Sequence, residues 1–548
     1  MTSTPPPAAQ VSPNNSIRKK DTASETSDVE EHQGVPHVHK NIDTENGSEG
    51  KHVRSPLERS LVLRLDCFLM VFGCVSQVIK YLDQQNINQA YVSGMKEDLS
   101  LYGNELNYFS TYFQIGYCIM LIPSQIIMTH VRPSYWLPGL ELIWGILTGI
   151  VATVSNAKQI YALRTFIGLC ESSAWPGMMT LFMHWYTPTE LAKRMGFYHS
   201  CQAIGGMMAN ALQSAVHETL NGRSGLQGWR WMFIINAIMT VVAAFLGFFM
   251  IPDLPNDPNP RAFWFRKGQL VFVGVGVEAE AWRLTRTSLL HLNSEDHAEM
   301  AMDRLKRHNR AEPQPVNWAA IKRTFNSWIV YFITVLYTAT VLASWGYAYF
   351  SLFLKSLHHP DGTPVWSISA INVIPIGGQA IQVLFVWIWA LASDYFGNRH
   401  WLIVLQAMIG LIPCIIMSVW NVPVGAKYFS YFISYLCLGT APLIFAWVSD
   451  LIPHDPEQRA LVVGVAIAIY YAISAWSQVL VWPASQAPHY KYGWQTSIGL
   501  WILVIGMTGV LRYIDVKYLR PEREAFGRKL GEEEQGERGR DLKVGDGK

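Results

Sequence analysis

The sequence predicts an all-α polytopic membrane protein with twelve transmembrane helices arranged as two six-helix halves. Three observations lead there. Half of the 548 residues are hydrophobic and only 15% are charged, whereas a soluble domain averages about 25% charged. Apolar windows of roughly 20 residues, the length a helix needs to cross a bilayer, recur six times on each side of a long polar stretch. The loop after the second window of each half also ends alike, as a duplicated architecture requires.

Taken in order, residues 1–60 form a polar head rich in Pro, Ser, Asp, Glu and His. It has no apolar h-region, so it reads as a disordered, uncleaved tail. The first half, 61–251, holds apolar segments near 62–84, 107–129, 137–155, 160–184, 195–216 and 230–251. A polar stretch, 252–325, separates it from a second half, 326–516, with segments near 327–354, 368–391, 400–419, 427–449, 459–482 and 494–516. Residues 517–548 close the chain as a second tail. Six plus six spans around a hydrophilic loop is the pattern of two parallel repeats that move as rigid halves about a midplane site.

Within that pattern the loop HVRPSYWLP matches SDYFGNRHWLI when Trp136 and Leu137 are set on Trp401 and Leu402. Thr129 then stands opposite Asp394, and only the second loop keeps an acid followed by Gly397 and Arg399. Lys51, Arg54, Arg59 and Arg64 precede the first span, and Arg512, Lys517, Arg520 and Arg523 follow the last. Under the positive-inside rule both tails, and the basic central loop, are expected in the cytoplasm.

Composition also excludes classes. A net charge of +2, with Lys and Arg concentrated in the tails and central loop, gives no groove for nucleic acid. Cys67, Cys74, Cys118, Cys170, Cys201, Cys414 and Cys437 fall in apolar segments without disulfide or zinc spacing and read as buried packing residues. No metal-spaced cluster, nucleophile motif, Walker loop or dinucleotide fingerprint is present. No cofactor, metal or enzymatic activity is expected.

The chemistry concentrates in Tyr161 to Pro188, a spanning segment that carries Arg164 and Glu171. A charge at a helix centre costs about 2.5 to 3.5 kcal/mol on insertion scales, so such residues face a bundle interior or a wet cavity. At helical spacing Arg164, Gly168, Glu171 and Trp175 follow i, i+4, i+7, i+11, one helix face. Two turns, about 10 Å, separate the acid from the base, too far for simple neutralisation. Lys80 and Asp83 stand near the outer end of the first span, as an interfacial anchor or as part of the site. Glu141, His199 and His217 complete the ionisable set of the first half, the histidines reading as satisfied polar residues rather than proton relays. The second half offers Asn372, Gln379, Gln382, Tyr470, Tyr471, Trp476 and Gln478. A small anion held by a cation on one side and by aromatic or amide groups on the other suits that division. Pro123, Pro176 and Pro375 are expected to interrupt spans two, four and eight.

Several stretches carry a family resemblance: KYLDQQNINQAYVSGMKEDLSLYGNELNYFSTYFQIGY, PSQIIMTHVRPSYWLP, ALRTFIGLCESSAWPG, WYTPTELAKRMGFYHS, GWRWMFIINAI and ASDYFGNR. Over roughly residues 60 to 520 the chain resembles the fungal anion:cation symporter branch of the major facilitator superfamily, which includes allantoate, nicotinate, pantothenate and biotin permeases. The run Asn88 to Leu99, NQAYVSGMKEDL, is most similar to the pantothenate and vitamin permease subgroup. The resemblance implies the major facilitator fold and proton-coupled uptake of an organic carboxylate by alternating access. Arg164 and Gly168 match the fourth-span Arg-x-x-x-Gly motif linked to proton transfer, and Glu171 matches an acid of related organic-anion carriers. Asp394, Gly397 and Arg399 match the loop motif whose charge pairs lock one gate state. The first-half loop lacks the acid, which counts against a symmetric role for Arg132.

The expected assignments are therefore Glu171 and Arg164 for proton coupling, Lys80, Asp83, Arg164, Asn372, Gln379 and Tyr471 for substrate, and Asp394, Gly397 and Arg399 for gating. The partners are a small organic anion, a proton and the lipid bilayer, and the chain is expected to act as a monomer in the plasma membrane. Export of an acidic secondary metabolite is the main alternative, and a nutrient sensor without transport is a third reading. Residues 266–291, with VFVGVGV at their core, resemble neither flank of the central loop. They read as a lineage insertion or, preferably, as translated sequence of an unspliced intron.

Overall fold

Helix starts follow local capping chemistry. Asn156 accepts from the backbone N–H of Gln159 at 3.1 Å and opens one helix, and Asp455 accepts from Gln458 at 2.9 Å to open another. Thr187 and Glu190 form a reciprocal capping box before the longest helix. Pro133, Pro188 and Pro456 occupy first-turn positions, where the missing N–H would have no helical partner.

The computed structural model describes residues 56–255, 257–262, 264, 300, 301, 304, 318–396, 399–452 and 455–521. Span one is Glu58–Asp98, with π-helical turns at Asp66–Met70 and Tyr91–Met95. Span two is Glu105–His130, span three Pro133–Val151, span five Pro188–Leu220 and span six Gly228–Met250. Span four consists of two helices, Ala157–Glu171 and Ala174–Trp185. The second half contributes Trp328–Lys355, Ile368–Phe396, Arg399–Val419, Val424–Leu451, Pro456–Val481 and Lys491–Leu519 as spans seven to twelve. Among the described residues, 10 of these rods are long and apolar enough to cross a membrane by length and composition. Span four falls outside that set because it is broken, and span five because polar residues such as Asn210 and Gln213 lower its hydropathy.

The break falls where Pro176 was expected to interrupt span four. Pro176 supplies no N–H for the Ser172 carbonyl, and the hydroxyls of Ser172 and Ser173 turn back to Leu169 and Cys170 carbonyls at 2.9 and 3.3 Å. The first helix therefore ends at Glu171, and Trp175 lies in the first turn of the separate helix Ala174–Trp185, its ring 5.9 Å from that of His199. Pro123 and Pro375, expected to interrupt their spans, instead lie inside continuous helices. Cys67 is exposed and Cys118 and Cys170 are half-buried, so the expectation of seven buried thiols holds for Cys74, Cys201, Cys414 and Cys437. The head up to residue 55, the insert 266–291, the tail from 522 and Gly397 lie outside the described residues, as does the side chain of Asp394.

Packing repeats between the halves. Spans one and five, one and six, two and four, and three and six pack together, and so do seven and eleven, seven and twelve, eight and ten, and nine and twelve. Across the seam, span five meets span eight and span eleven meets span two, a pairing that a two-fold exchange of the halves maps onto itself. Spans two and four cross most closely. A Cβ on Gly116 would lie 2.1 Å from the Thr165 carbonyl oxygen, and one on Gly168 would lie 2.1 Å from that of Phe113. Backbone meets backbone there, as small residues permit in membrane helix pairs.

Gly168→Ala forces that crossing apart, and overpacking of this kind costs about 1–3 kcal/mol. The purified variant is expected to melt several degrees below the parent in detergent, whereas Gly464→Ala, whose added Cβ meets nothing within 4 Å, leaves the transition unchanged.

Candidate functional site

The glycine-permitted crossing places a cluster of ionisable side chains in the interior of the first half. Arg164 is 3% exposed and its guanidinium carbon lies 4.6 Å from the centre of the Phe113 ring. Among the described residues no carboxylate comes within ion-pair distance of it, and its Nε has no hydrogen-bond partner. Attraction to an aromatic face supplies about 2 kcal/mol when desolvated. Burial of an ion carries a penalty of several kcal/mol, so the ring alone does not hold this charge. Asp83 and Glu171 are the two acids whose fields favour the charged guanidinium.

Those acids are held differently. Asp83 has both oxygens engaged, Oδ2 by the Thr148 hydroxyl at 2.9 Å and Oδ1 by the Asn236 amide at 3.0 Å, so spans one, three and six are bolted together at one carboxylate. Glu171, fully buried, accepts from the Gln84 amide through Oε1, whereas Oε2 has no partner. Lys80 acts electrostatically on Glu171 and is 1% exposed. Its ammonium donates to the Tyr117 hydroxyl at 3.3 Å and sits 5.2 Å from that ring. Tyr117 in turn stacks on Tyr471 of the second half, ring centres 4.3 Å apart. Lys80 and Asp83 are thus mid-span residues, and the interfacial alternative is set aside.

The structure brings Lys80, Asp83, Arg164, Glu171 and, through Tyr117, Tyr471 into one neighbourhood. It places Asn372 and Gln379 at the seam, while Trp476 is exposed. Gln379 accepts from the Asn210 amide of span five at 3.0 Å, and Asn372 donates to the Ser93 hydroxyl of span one at 3.0 Å. Gln84, Tyr117, Thr148 and Asn236 were not singled out from sequence. Their only signal there was polarity within apolar spans. Glu141, 2% exposed with Oε1 unpartnered, stays buried apart from this cluster.

At the end of the bundle that bears the termini, the two equivalent loops find acids by different routes. Arg399 Nε lies 3.0 Å from Asp450 at the end of span ten. Arg132, whose own loop lacks an acid, reaches Asp257 with Nη2 at 2.8 and 2.6 Å from its two oxygens. Asp257 belongs to a short antiparallel pair, Asp253–Leu254 with Asp257–Pro258. Asp253 anchors that pair by accepting from the Ser134 backbone and hydroxyl at 2.6 and 2.8 Å. Its burial pushes the carboxyl above the usual range while those two hydrogen bonds act the other way. Arg194 pairs with Asp66, and Arg304 bridges Glu58 and Glu190. Among the described residues no group of three His, Cys, Asp or Glu side chains is placed to hold a metal.

Comparison with known proteins identifies the family and the fold. Residues 73–388 match the family model of the Major Facilitator Superfamily. An MFS transporter of Pestalotiopsis fici is 31% identical over 83% of this chain and 80% of its own length. A pantothenate transporter of Schizosaccharomyces pombe is 29% identical over 82% of this chain and 80% of its own. A vitamin H transporter of Saccharomyces cerevisiae is 26% identical, covering 82% of this chain and 72% of its own. Among solved structures, a proton:xylose symporter superposes with a TM-score of 0.60 at 12% identity, over 84% of this chain and 96% of that one, a likeness of fold.

Thr148→Val leaves Asp83 Oδ2 without its donor, and an unsatisfied buried acceptor costs about 1–3 kcal/mol. A lowered thermal transition is expected for the detergent-solubilised variant, with Thr148→Ser recovering most of it. An unchanged transition for Thr148→Val removes the bolting role assigned to Asp83.

Proposed function

Because the chain belongs to the Major Facilitator Superfamily, we propose that it is a secondary transporter that takes up a small organic carboxylate, of the kind represented by pantothenate or biotin, together with a proton. Similarity to pantothenate and vitamin H transporters supports the substrate class. The observation that carries the reading is Arg164, a buried guanidinium with no carboxylate within ion-pair distance among the described residues. A carboxylate substrate supplies the missing anion through charge-assisted hydrogen bonds.

In this reading Arg164 or Lys80 receives the substrate carboxylate, and Tyr471 closes the pocket from the second half. Glu171 carries the proton, because its Oε2 has no partner and protonation removes a buried negative charge beside Asp83. Asp83 positions span one rather than touching substrate, and Asn372 and Gln379 meet substrate when the seam opens. Arg399, with Asp394 and Gly397, serves the gate at the termini end. The protein works as a monomer in the plasma membrane, with both termini and the central loop in the cytoplasm.

Two measurements test this. Glu171→Gln is expected to lose acid-stimulated accumulation while retaining exchange of substrate across the membrane; undiminished pH-driven accumulation in that variant sinks the assignment. Uptake of labelled pantothenate, biotin, nicotinate and allantoate in a permease-deficient host, at two pH values, is expected to show accumulation of one of them that rises at the lower pH. Failure of all four turns the reading toward export of an acidic metabolite.

A further inference from the structure

The end of the bundle remote from the termini is fastened by an arrangement in which one half caps a helix of the other. Span eleven ends at Val481, and Trp482 and Ala484 flank Pro483. A helix end leaves carbonyls without intrahelical donors, and proline offers no N–H to continue the ladder. Asn107, in the first turn of span two and 4% exposed, meets both needs. Its Nδ2 donates to the Trp482 carbonyl at 2.9 Å, and its Oδ1 accepts from the Ala484 N–H at 2.7 Å. Asn104 accepts from the Ser485 N–H at 3.1 Å, and the Thr111 hydroxyl donates to the Ala475 carbonyl at 2.7 Å one turn deeper.

Two features make this a latch rather than a permanent weld. The Tyr349 hydroxyl, which belongs to the second half, also donates to the Trp482 carbonyl, at 3.3 Å. When Asn107 withdraws, that carbonyl keeps a partner within its own half, so opening does not strand a buried acceptor. At the latch lies a cavity between the halves, lined by Asn107 and Tyr349 themselves together with Asn88, Ser110, Ser351 and Gln478. Spans two and eleven carry on from it to Tyr117 and Tyr471, the aromatic stack beside Lys80.

We propose that Asn107 is the bolt of a gate at the end remote from the termini, and that releasing its two hydrogen bonds to the end of span eleven opens the cavity it helps to line. The proposal rests on the transporter reading above, since a gate presupposes passage. The latch stands beside an ion pair across the seam, Lys355 Nζ to Glu97 at 2.8 Å, and its own bonds are neutral contacts to backbone, so releasing them needs no change of charge.

The test places a reporter cysteine in the cavity, Ser351→Cys, and follows its labelling by a membrane-impermeant maleimide applied from the side that faces this end, with the chain lacking the reporter as background. Asn107→Ala is expected to raise the labelling rate on the order of tenfold, the scale set by two lost hydrogen bonds. Thr111→Val, which removes a single bond, is expected to raise it about threefold and carries the test should Asn107→Ala not reach the membrane. Unchanged labelling in both, with uptake intact, overturns the latch and leaves the transporter reading standing. Raised labelling in a chain that moves none of the anions tested supports the latch and counts against that reading.

Discussion

The close crossing of spans two and four is the constraint on which the rest of the interior depends. Gly168 lets the backbone of span four touch the carbonyl of Phe113, and the same residue's ring then lies under Arg164 one turn away. Tyr117, one turn further along span two, is brought to the Lys80 ammonium and to Tyr471. A motif that pairs an arginine with a glycine four residues later therefore has a plain physical content: the glycine sets the depth at which the arginine's platform sits. Any side chain larger than hydrogen at 168 moves the ring, the tyrosine and both cations together.

Burial without neutralisation explains the division of labour within the cluster. Of its two acids, Asp83 is saturated by Thr148 and Asn236 and so fixes geometry, whereas Glu171 keeps one oxygen unpartnered and so remains free to change. Two cations stand near them, and neither closes an ion pair with Asp83 or Glu171. A site fully paired in its resting arrangement would have to break an ion pair in a low dielectric before admitting an anion, a loss of several kcal/mol. An arrangement held by an aromatic face and by longer-range fields avoids that step.

Much of this was legible in the sequence, and the limits have physical causes. Twelve apolar windows and the duplicated loop were enough for the architecture, because bilayer length and hydropathy act locally along the chain. Arg164 and Glu171 stood out because an ionisable residue in an apolar span is rare. Thr148 and Asn236 did not, since a lone neutral polar residue is common in such spans, and their shared partner Asp83 lies 65 and 153 positions away. The proline rule was legible in kind and not in outcome: Pro176 coincides with serine hydroxyls that take up nearby carbonyls, and only there does the helix break among the three spans named. Arg132 looked unsupported because its acid arrives from Asp257, 125 residues later.

The exchange symmetry of the seam and the asymmetry of charge bear on each other. Span five against eight and span eleven against two are equivalent contacts, so the architecture alone gives the halves equal roles. The sequence breaks that equality by placing the interior charges in the first half and amides and aromatics in the second. Tyr471 is the second half's point of contact with the charged cluster, through its stack on Tyr117. Separation of spans two and eleven parts that stack and leaves the Tyr117 face, and with it Lys80, open to whatever enters from the seam. Movement of the half without interior charges thus alters the surroundings of the half that carries them, a link between gate and site that runs through an aromatic stack.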